Sequence, residues 1–294
     1  MKHNRIEQTV IHVLFILIAI GCLIPFLLLL SASMTDESMI IRDGYSFFPA
    51  EISLESYRFI FEDSSLIFSA YGISILVTVV GTFASLIIMT LLAYPLSKQD
   101  LPLRNPLSFF IFFTMLFNGG LVSTYLMYTN VFDIKNTIFA LIVPGLLVNA
   151  FYVILLRTFF SVSVPGPVLE SAHIDGAGEF RIFFQMVLPL SLPVLATVGL
   201  FQVIHYWNDW FNGLIYITDN RYYSIQVLLN TILLNVQYLL ENADYSSRVE
   251  DSGVIPTQGV RLAIAVIGVL PILIAYPFFQ KYFVKGLTVG AIKG

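Results

Sequence analysis

Long apolar runs dominate the chain, and short polar stretches separate them. A membrane-spanning helix needs about 20 consecutive, mostly apolar residues, and six runs meet this requirement. The pattern therefore predicts an all-α membrane protein with six transmembrane helices in a single transmembrane domain, residues 1–294. The predicted spans are 11–31, 68–96, 106–129, 137–160, 186–214 and 260–283.

The first apolar run has a second interpretation. Its basic start, with Lys2 and Arg5, and the following "LSAS" resemble a secretory signal peptide, and "AIGC" resembles a lipoprotein cleavage site. A signal-peptide core has about 7–15 apolar residues. The uninterrupted run Val13–Leu30 is longer and continues well past Cys22. We therefore predict a retained span.

The distribution of lysine and arginine predicts the orientation, because short cytoplasmic segments are enriched in both. With both termini in the cytoplasm, nine of the fifteen basic residues fall on the short inner flanks. This arrangement predicts a multi-pass protein of a cell membrane. It places segment 165–185 in the cytoplasm and makes segment 215–259, which mixes polar and aromatic residues, an extracellular loop.

Composition agrees with a bilayer as the solvent. The chain is 57% hydrophobic and 12% charged, whereas soluble domains carry about 25% charged residues. The net charge of −4 gives no support for binding nucleic acid. No Gly-Lys dipeptide occurs, so a phosphate-binding loop is excluded and any ATP must be bound by another chain. Motifs of metalloproteases and serine hydrolases are absent, so the sequence predicts neither catalytic residues nor a metal site.

The stretch "VPGPVLESAHIDGAGEF", residues 164–180, is a polar island in this apolar chain. Pro165 and Pro167 are expected to break the fourth helix, and Pro167 suits the first turn of a new one. Gly176 can supply the left-handed residue that ends it. We predict a short helix lying crosswise beneath the membrane; a solvated loop with ordinary turn chemistry is the alternative. The helix would present Glu170, His173 and Asp175 to the cytosol.

The island carries a resemblance to a known family. "ESAHIDGAGEFRIFFQMVLPLSLP" is similar to the EAA loop of bacterial ABC-importer permeases, whose pattern is E-A-A, three residues, G, nine residues and I-x-L-P. Ser171 and Met186 depart mildly from this pattern. "AYPLSK", "YWNDWFNGLIY" and the tail "KGLTVGAIKG" resemble segments of the maltose-type second permease, and Gly119-Gly120 suggests the polysaccharide-fragment subgroup. In register are Glu170, Ala172, Gly176, Leu188 and Pro189.

The resemblance implies a type I ABC importer permease in a bacterial plasma membrane that transports an oligosaccharide. It implies a heterodimer with a second permease chain, two cytoplasmic ATPase subunits that bind ATP and Mg²⁺, and an external solute-binding lipoprotein. This chain itself would bind no cofactor. Segment 165–185 would form the coupling loop that docks on an ATPase. The implied coupling residues are Glu170, Ser171, Ala172, His173, Asp175, Gly176 and Ala177.

A sugar path needs polar groups for hydroxyls and aromatic faces for C–H surfaces. Buried amides in a bilayer are costly unless paired, so such residues are expected to face a cavity; hydrogen bonding between helices is the alternative. The path candidates are Asn118, Tyr125, Asn149, Tyr152, Tyr206, Asn208 and Asn212.

Helix kinks are expected at Pro144-Gly145, Pro189, Pro193, Pro271 and Pro277.

The alternative function is an ion-coupled secondary transporter. Such proteins place ionisable residues deep in the membrane. The first four predicted spans have none near their centres, and Asp209 and Arg261 lie toward span ends. The pattern therefore favours the ATP-driven importer.

Overall fold

A computed structural model describes residues 5–62, 64–164, 166–241 and 257–291. Within these ranges the regular secondary structure is helical, with one isolated bridge between Thr35 and Ile52. This confirms the all-α class. The helices are α1 (Arg5–Ser33), α2 (Glu37–Asp43), α3 (Glu55–Ile60), α4 (Ser64–Ser97), α5 (Arg104–Leu116), α6 (Leu121–Leu126), α7 (Phe139–Ile142), α8 (Ala150–Ser163), α9 (Gly166–Ile174), α10 (Glu179–Ile182), α11 (Leu188–Leu190), α12 (Leu192–Asn208), α13 (Phe211–Tyr216), α14 (Ile225–Glu241) and α15 (Thr257–Ala291).

Among the described residues, two continuous helical segments are long and apolar enough to cross a membrane, Glu7–Ser33 and Ser65–Ser97. They contain the predicted spans 11–31 and 68–96. Three bent helix pairs raise the number to as many as five if each pair is one crossing. The predicted span 260–283 lies within α15, and the total of six spans stays a prediction. The bent pairs are Arg104–Leu116 with Leu121–Val131 (114°), Ala150–Val162 with Gly166–Ile174 (75°) and Glu179–Leu190 with Leu192–Asn208 (79°).

The prediction of a continuous helix over 137–160 was wrong. Helix α7 ends at Ile142, and no helix is present again until Ala150. Pro144 lacks a backbone N–H, and Gly145 has φ +71°, a left-handed conformation that a right-handed helix cannot contain. The predicted kink at this dipeptide is therefore a complete break.

Two other predicted spans are also interrupted. In 106–129, residues 117–120 separate α5 from α6, and Gly120 has φ +81°. In 186–214, Ser191 separates α11 from α12, and residues 209–210 separate α12 from α13. Pro193 lies in the first turn of α12, where its missing N–H costs nothing. By contrast, Pro271 and Pro277 lie within the continuous helix α15.

Segment 215–259, predicted as an extracellular loop, is largely helical in the described residues. It contains a 3₁₀ turn, Asn220–Tyr222, and the 17-residue helix α14. Ile225, Leu228 and Leu229 are buried, and their i, i+3, i+4 spacing is that of one helix face. The polar residues around this apolar stripe concealed it in the sequence. Residues 242–256 lie outside the described part.

The chain divides into two compact units, the first formed by residues 1–67 and 229–271. In this unit the buried Glu37 carboxylate accepts the backbone N–H groups of Gln258 and Gly259, each at 2.8 Å. These amides belong to the first turn of α15, where helix N–H groups have no partner within the helix. A carboxylate is also favoured there by the helix dipole. Glu37 thus caps α15.

The second unit comprises residues 68–228 and 272–294. Its main core joins the last third of α4 to α8, α9 and the segment from α10 to α12. Helices α4 and α12 approach closely where Gly81 faces Tyr206, since a Cβ at Gly81 would lie 2.6 Å from the ring. Fully buried members of the core include Met89, Leu156 and Val198.

Candidate functional site

The short helix α9 bends by 75° from the direction of α8. Pro167 lies in its first turn, as the sequence predicts, whereas Pro165, the other predicted helix breaker, lies outside the described residues. A proline in the first turn loses no helical hydrogen bond. The polar island therefore forms a separate helix running across the direction of α8.

The C-terminal end of α9 is defined by a pair of backbone hydrogen bonds. Gly176 N–H donates to the His173 carbonyl at 3.0 Å, and Ala177 N–H donates to the Ala172 carbonyl at 2.9 Å. This pair is the Schellman motif, which requires a left-handed residue just after the helix. Gly176 has φ +79°, which confirms the predicted left-handed glycine.

The seven predicted coupling residues divide between two faces. Ala172 is 3% exposed and packs in the main core, and Ala177 is partly buried against the same core. Both alanines therefore hold α9 against the rest of the chain. The outer face is formed by the exposed residues Glu170, Ser171, His173, Asp175 and Gly176.

A charged cluster joins the segment after α9 to the end of α4; we call it the Glu179 cluster (Tyr94, Lys98, His173 and Glu179). The Tyr94 hydroxyl donates to Glu179 Oε2 at 2.9 Å, Lys98 Nζ donates to both carboxylate oxygens, and His173 Nε2 lies 3.5 Å from Oε1. The Lys98 hydrogen bond is the main cause that holds the Glu179 pKa below its ordinary value, with help from Tyr94. No local pattern in the sequence distinguishes Glu179 from the other carboxylates of the polar island.

Two arginines and a serine bind the C-terminal carbonyls of α4. The Leu96 carbonyl accepts from Arg104 Nε at 3.0 Å and from Arg157 Nε at 3.1 Å, and the Ser97 carbonyl accepts from Ser161 Oγ at 3.1 Å. The last four carbonyls of a helix have no partner within it, and cations are favoured at this end. Side chains at the start of α5 and in α8 thereby fasten the end of α4.

Two cavities lie beside this junction. The larger has a volume of about 650 Å³ and is lined by polar side chains that include Lys98, Arg104, Glu170 and His173. The smaller, of about 420 Å³, is mostly apolar, with Leu91, Phe180 and Phe183 in its wall. Neither cavity is lined by any of the seven predicted sugar-path residues.

Two residues predicted for the sugar path donate hydrogen bonds to backbone carbonyls where the chain leaves α7. The buried Tyr206 hydroxyl donates to the Ile142 carbonyl at 3.0 Å, and Asn212 Nδ2 donates to the Pro144 carbonyl at 2.9 Å. Gln202, which is not among the residues predicted from the sequence, donates to the Leu146 carbonyl at 3.2 Å. Non-helical backbone at membrane depth is tolerated where such partners satisfy it. For Tyr206 and Asn212 the contacts are those of the alternative, hydrogen bonding between helical segments.

The three remaining asparagines make local hydrogen bonds. Asn149 Oδ1 accepts Phe151 N–H at 2.9 Å and caps α8, and Asn118 Oδ1 accepts Gly120 N–H at 2.9 Å. Asn208 Nδ2 donates to the Ile204 carbonyl of its own helix at 3.0 Å. The Asn118 and Asn208 side chains are exposed.

The two remaining tyrosines stack on other aromatic rings. The buried Tyr152 ring lies parallel to Phe201 at a centroid distance of 6.0 Å. Tyr125 stacks on Tyr216 at 5.8 Å, and its hydroxyl accepts from Lys135 Nζ at 3.2 Å. In the described ranges, no group of three or more His, Cys, Asp or Glu side chains could hold a metal ion.

Two membrane-length apolar helices and three bent apolar helix pairs in the described residues are features of a multi-pass helical membrane protein. Comparison with known proteins identifies the family. The chain belongs to the binding-protein-dependent transport system inner membrane components, whose family pattern matches residues 4–289.

Individual relatives agree with this assignment. The chain is 37% identical over 291 residues to the polygalacturonan/rhamnogalacturonan transport system permease protein of Bacillus subtilis, covering 99% of both chains. It is 37% identical to the LplC protein of the same organism, covering 92% of this chain and 90% of that one. Among solved structures it resembles a bacterial ABC transporter involved in the import of the acidic polysaccharide alginate, with 30% identity, a TM-score of 0.79 and coverage of 96% and 98%.

The chain is therefore a permease subunit of an ABC importer, a transport component and not an enzyme. This confirms the resemblance seen in the sequence and excludes the ion-coupled secondary transporter. A permease of this kind works with ATPase subunits, a solute-binding protein and, in general, a second permease.

Proposed function

We propose that this chain carries an oligosaccharide across a bacterial plasma membrane as one half of a heterodimer of two different permeases. Support for a carbohydrate cargo comes from its relatives. They are named for polygalacturonan or rhamnogalacturonan, for arabinooligosaccharides in Halalkalibacterium halodurans, and for alginate. The external partner would be a solute-binding lipoprotein that delivers the sugar.

In this proposal both termini and segment 165–185 are cytoplasmic, and two ATPase subunits bind ATP and Mg²⁺ while this chain binds no cofactor. The observation that carries the proposal is the geometry of α9. The helix is bent 75° from α8, held by Ala172 on one face, and exposed on the other. A short helix with a fixed base and a free outer face suits docking into a groove of a soluble partner.

Transport then requires the permease to alternate between two conformations. ATP can shift the equilibrium between them only by favouring one over the other. In our proposal the ATPases close around ATP, their movement displaces α9, and the membrane helices change from an inward-facing to an outward-facing arrangement. Of the path candidates, Asn118 and Asn208 have exposed side chains, and in our proposal these two meet sugar hydroxyls.

A substitution at Gly176 tests the docking. Proline holds φ near −65°, which is incompatible with the observed +79°, and it removes the N–H that binds the His173 carbonyl. We expect Gly176→Pro to insert normally into membranes but to lose about tenfold or more of its affinity for the ATPase, a change of about 1.4 kcal/mol. The measurement is copurification with a tagged ATPase from detergent-solubilised membranes.

The matched control is Gly178→Ala. Gly178 has φ −73°, and a Cβ there would meet no atom within 4 Å, so this variant should copurify like the wild type. Normal copurification of Gly176→Pro would refute docking through α9.

A further inference from the structure

The Glu179 carboxylate is bound from two directions. Glu179 is the first residue of α10 and follows α9 after the Schellman turn and Gly178. His173 approaches the carboxylate from α9 itself, whereas Tyr94 and Lys98 approach from the end of α4. The chain between α9 and α10 is thereby fastened to α4 by charged hydrogen bonds.

The end of α4 is itself firmly held. Tyr94 is 8% exposed, its ring lies 5.1 Å from that of Phe183, and Lys98 Nζ lies 5.1 Å from the Tyr94 ring centroid. The Leu96 carbonyl binds Arg104 and Arg157. A displacement of Glu179 that keeps its hydrogen bonds to Tyr94 and Lys98 therefore moves the end of α4 with it.

From this junction α4 extends as a continuous helix of 34 residues, about 50 Å at 1.5 Å per residue. Farther along the helix, Ser85 Oγ lies 3.1 Å from the Tyr206 hydroxyl, which in turn binds the carbonyl of Ile142, the last residue of α7. Movement at one end of α4 thus reaches the contact with α12.

The Glu179 cluster fixes the orientation of the chain after α9 relative to α4 more than it stabilises the fold. Apolar contacts such as those of Ala172 and Phe183 are non-directional, whereas an ionised hydrogen bond fixes distance and orientation. The Glu179 side chain is 54% exposed, and exposed ion pairs stabilise a fold only slightly. Loss of the carboxylate should therefore leave the fold nearly unchanged and alter how movement is transmitted.

We propose that Glu179, held by Lys98 and Tyr94, is a positioning residue that transmits the displacement of α9 to α4. The inference rests on the proposed docking of α9 on an ATPase. It assigns to α4 the role of receiving the ATP-driven movement, and to one carboxylate the connection on which this depends.

The test uses the complete transporter complex in lipid nanodiscs. Cys22 is replaced by serine, and an environment-sensitive fluorophore is attached at Gly72→Cys, an exposed position of α4 with no atom within 4 Å of a Cβ. The emission is compared without nucleotide and after trapping with Mg-ATP and vanadate. We expect a spectral shift in the wild type. In both Glu179→Gln and Lys98→Met, the effect of nucleotide on the equilibrium constant derived from the emission should fall about fivefold, the low end of allosteric couplings.

Two further variants make the result specific. The charge exchange Lys98→Glu with Glu179→Lys should restore most of the shift, because the pair is re-formed with reversed polarity. Asp100→Asn, a nearby exposed carboxylate, should behave like the wild type. Copurification of the ATPase should be unchanged in all these variants, because none of them substitutes a residue of α9.

The outcomes separate the two proposals. If the ATPase copurifies but Glu179→Gln keeps the full shift, or the charge exchange restores nothing, the role of Glu179 is refuted and docking stands. A wild type that binds the ATPase yet gives no shift excludes movement of α4 and also refutes the inference. If the wild type does not bind the ATPase, the docking proposal is refuted, and the inference about Glu179 is refuted with it.

Discussion

The contact between Gly81 of α4 and Tyr206 of α12 gives a quantitative test of the membrane core. A Cβ at Gly81 would lie 2.6–2.8 Å from three ring atoms of Tyr206. The ring cannot retreat freely, because its hydroxyl donates to the Ile142 carbonyl and lies 3.1 Å from Ser85 Oγ. Gly81→Ala must therefore displace a helix or break these hydrogen bonds.

Opposing effects set the change in the free energy of unfolding that Gly81→Ala causes. Overpacking costs about 1–3 kcal/mol, and a weakened hydrogen bond adds about 0.5–1.5 kcal/mol. Alanine favours a helix over glycine by about 0.5–1 kcal/mol, which offsets part of the loss. We expect a net loss of about 2 kcal/mol in the free energy of unfolding, or a fall of about 4–8 °C in Tm.

The assay is thermal unfolding of the purified protein in detergent, with Gly72→Ala as the control. Gly72 lies on the same helix, and a Cβ there would meet no atom within 4 Å. This control should match the wild type or exceed it slightly. Equal Tm values for the two alanine variants would refute the close packing of α4 on α12.

The same unfolding assay tests three other contacts. Tyr206→Phe leaves the Ile142 carbonyl without its donor and should cost about 1–2 kcal/mol; an unchanged Tm would show that this carbonyl does not need the hydroxyl. Glu37→Ala removes the acceptor of two N–H groups at the start of α15 and should cost about 1–2 kcal/mol, with Glu37→Gln intermediate; equal losses for both would argue against a charge effect. Asn149→Ala removes the cap of α8 and should cost about 1 kcal/mol, and a loss below about 0.3 kcal/mol would contradict that role.

Local signals in the sequence were sufficient for part of the fold. The apolar runs 11–31 and 68–96 lie within α1 and α4, which continue as helices through the internal prolines Pro25 and Pro95. Gly176 was identified as a left-handed helix end because few other residues adopt that conformation without strain. The crosswise helix α9 followed from proline and glycine at fixed positions.

The remaining features depend on partners distant in sequence. The break between α7 and α8 is stabilised by Tyr206, Gln202 and Asn212, which lie more than fifty residues away. Lys98 and Glu179 are 81 residues apart, so local patterns contain no sign of their contact. Only the folded chain reveals that Tyr206 and Asn212, chosen for a sugar path, bind the carbonyls of Ile142 and Pro144.

The most direct test of the account is the labelling of a cysteine at Ser171, on the exposed face of α9, in a protein whose native Cys22 is replaced by serine. A membrane-impermeant maleimide is applied to right-side-out and to inside-out vesicles, with and without purified ATPase. We predict labelling in inside-out vesicles stripped of ATPase, protection when the ATPase is added back, and none in right-side-out vesicles. Labelling from the exterior, or full labelling in the presence of bound ATPase, would contradict a cytoplasmic α9 that docks on the ATPase.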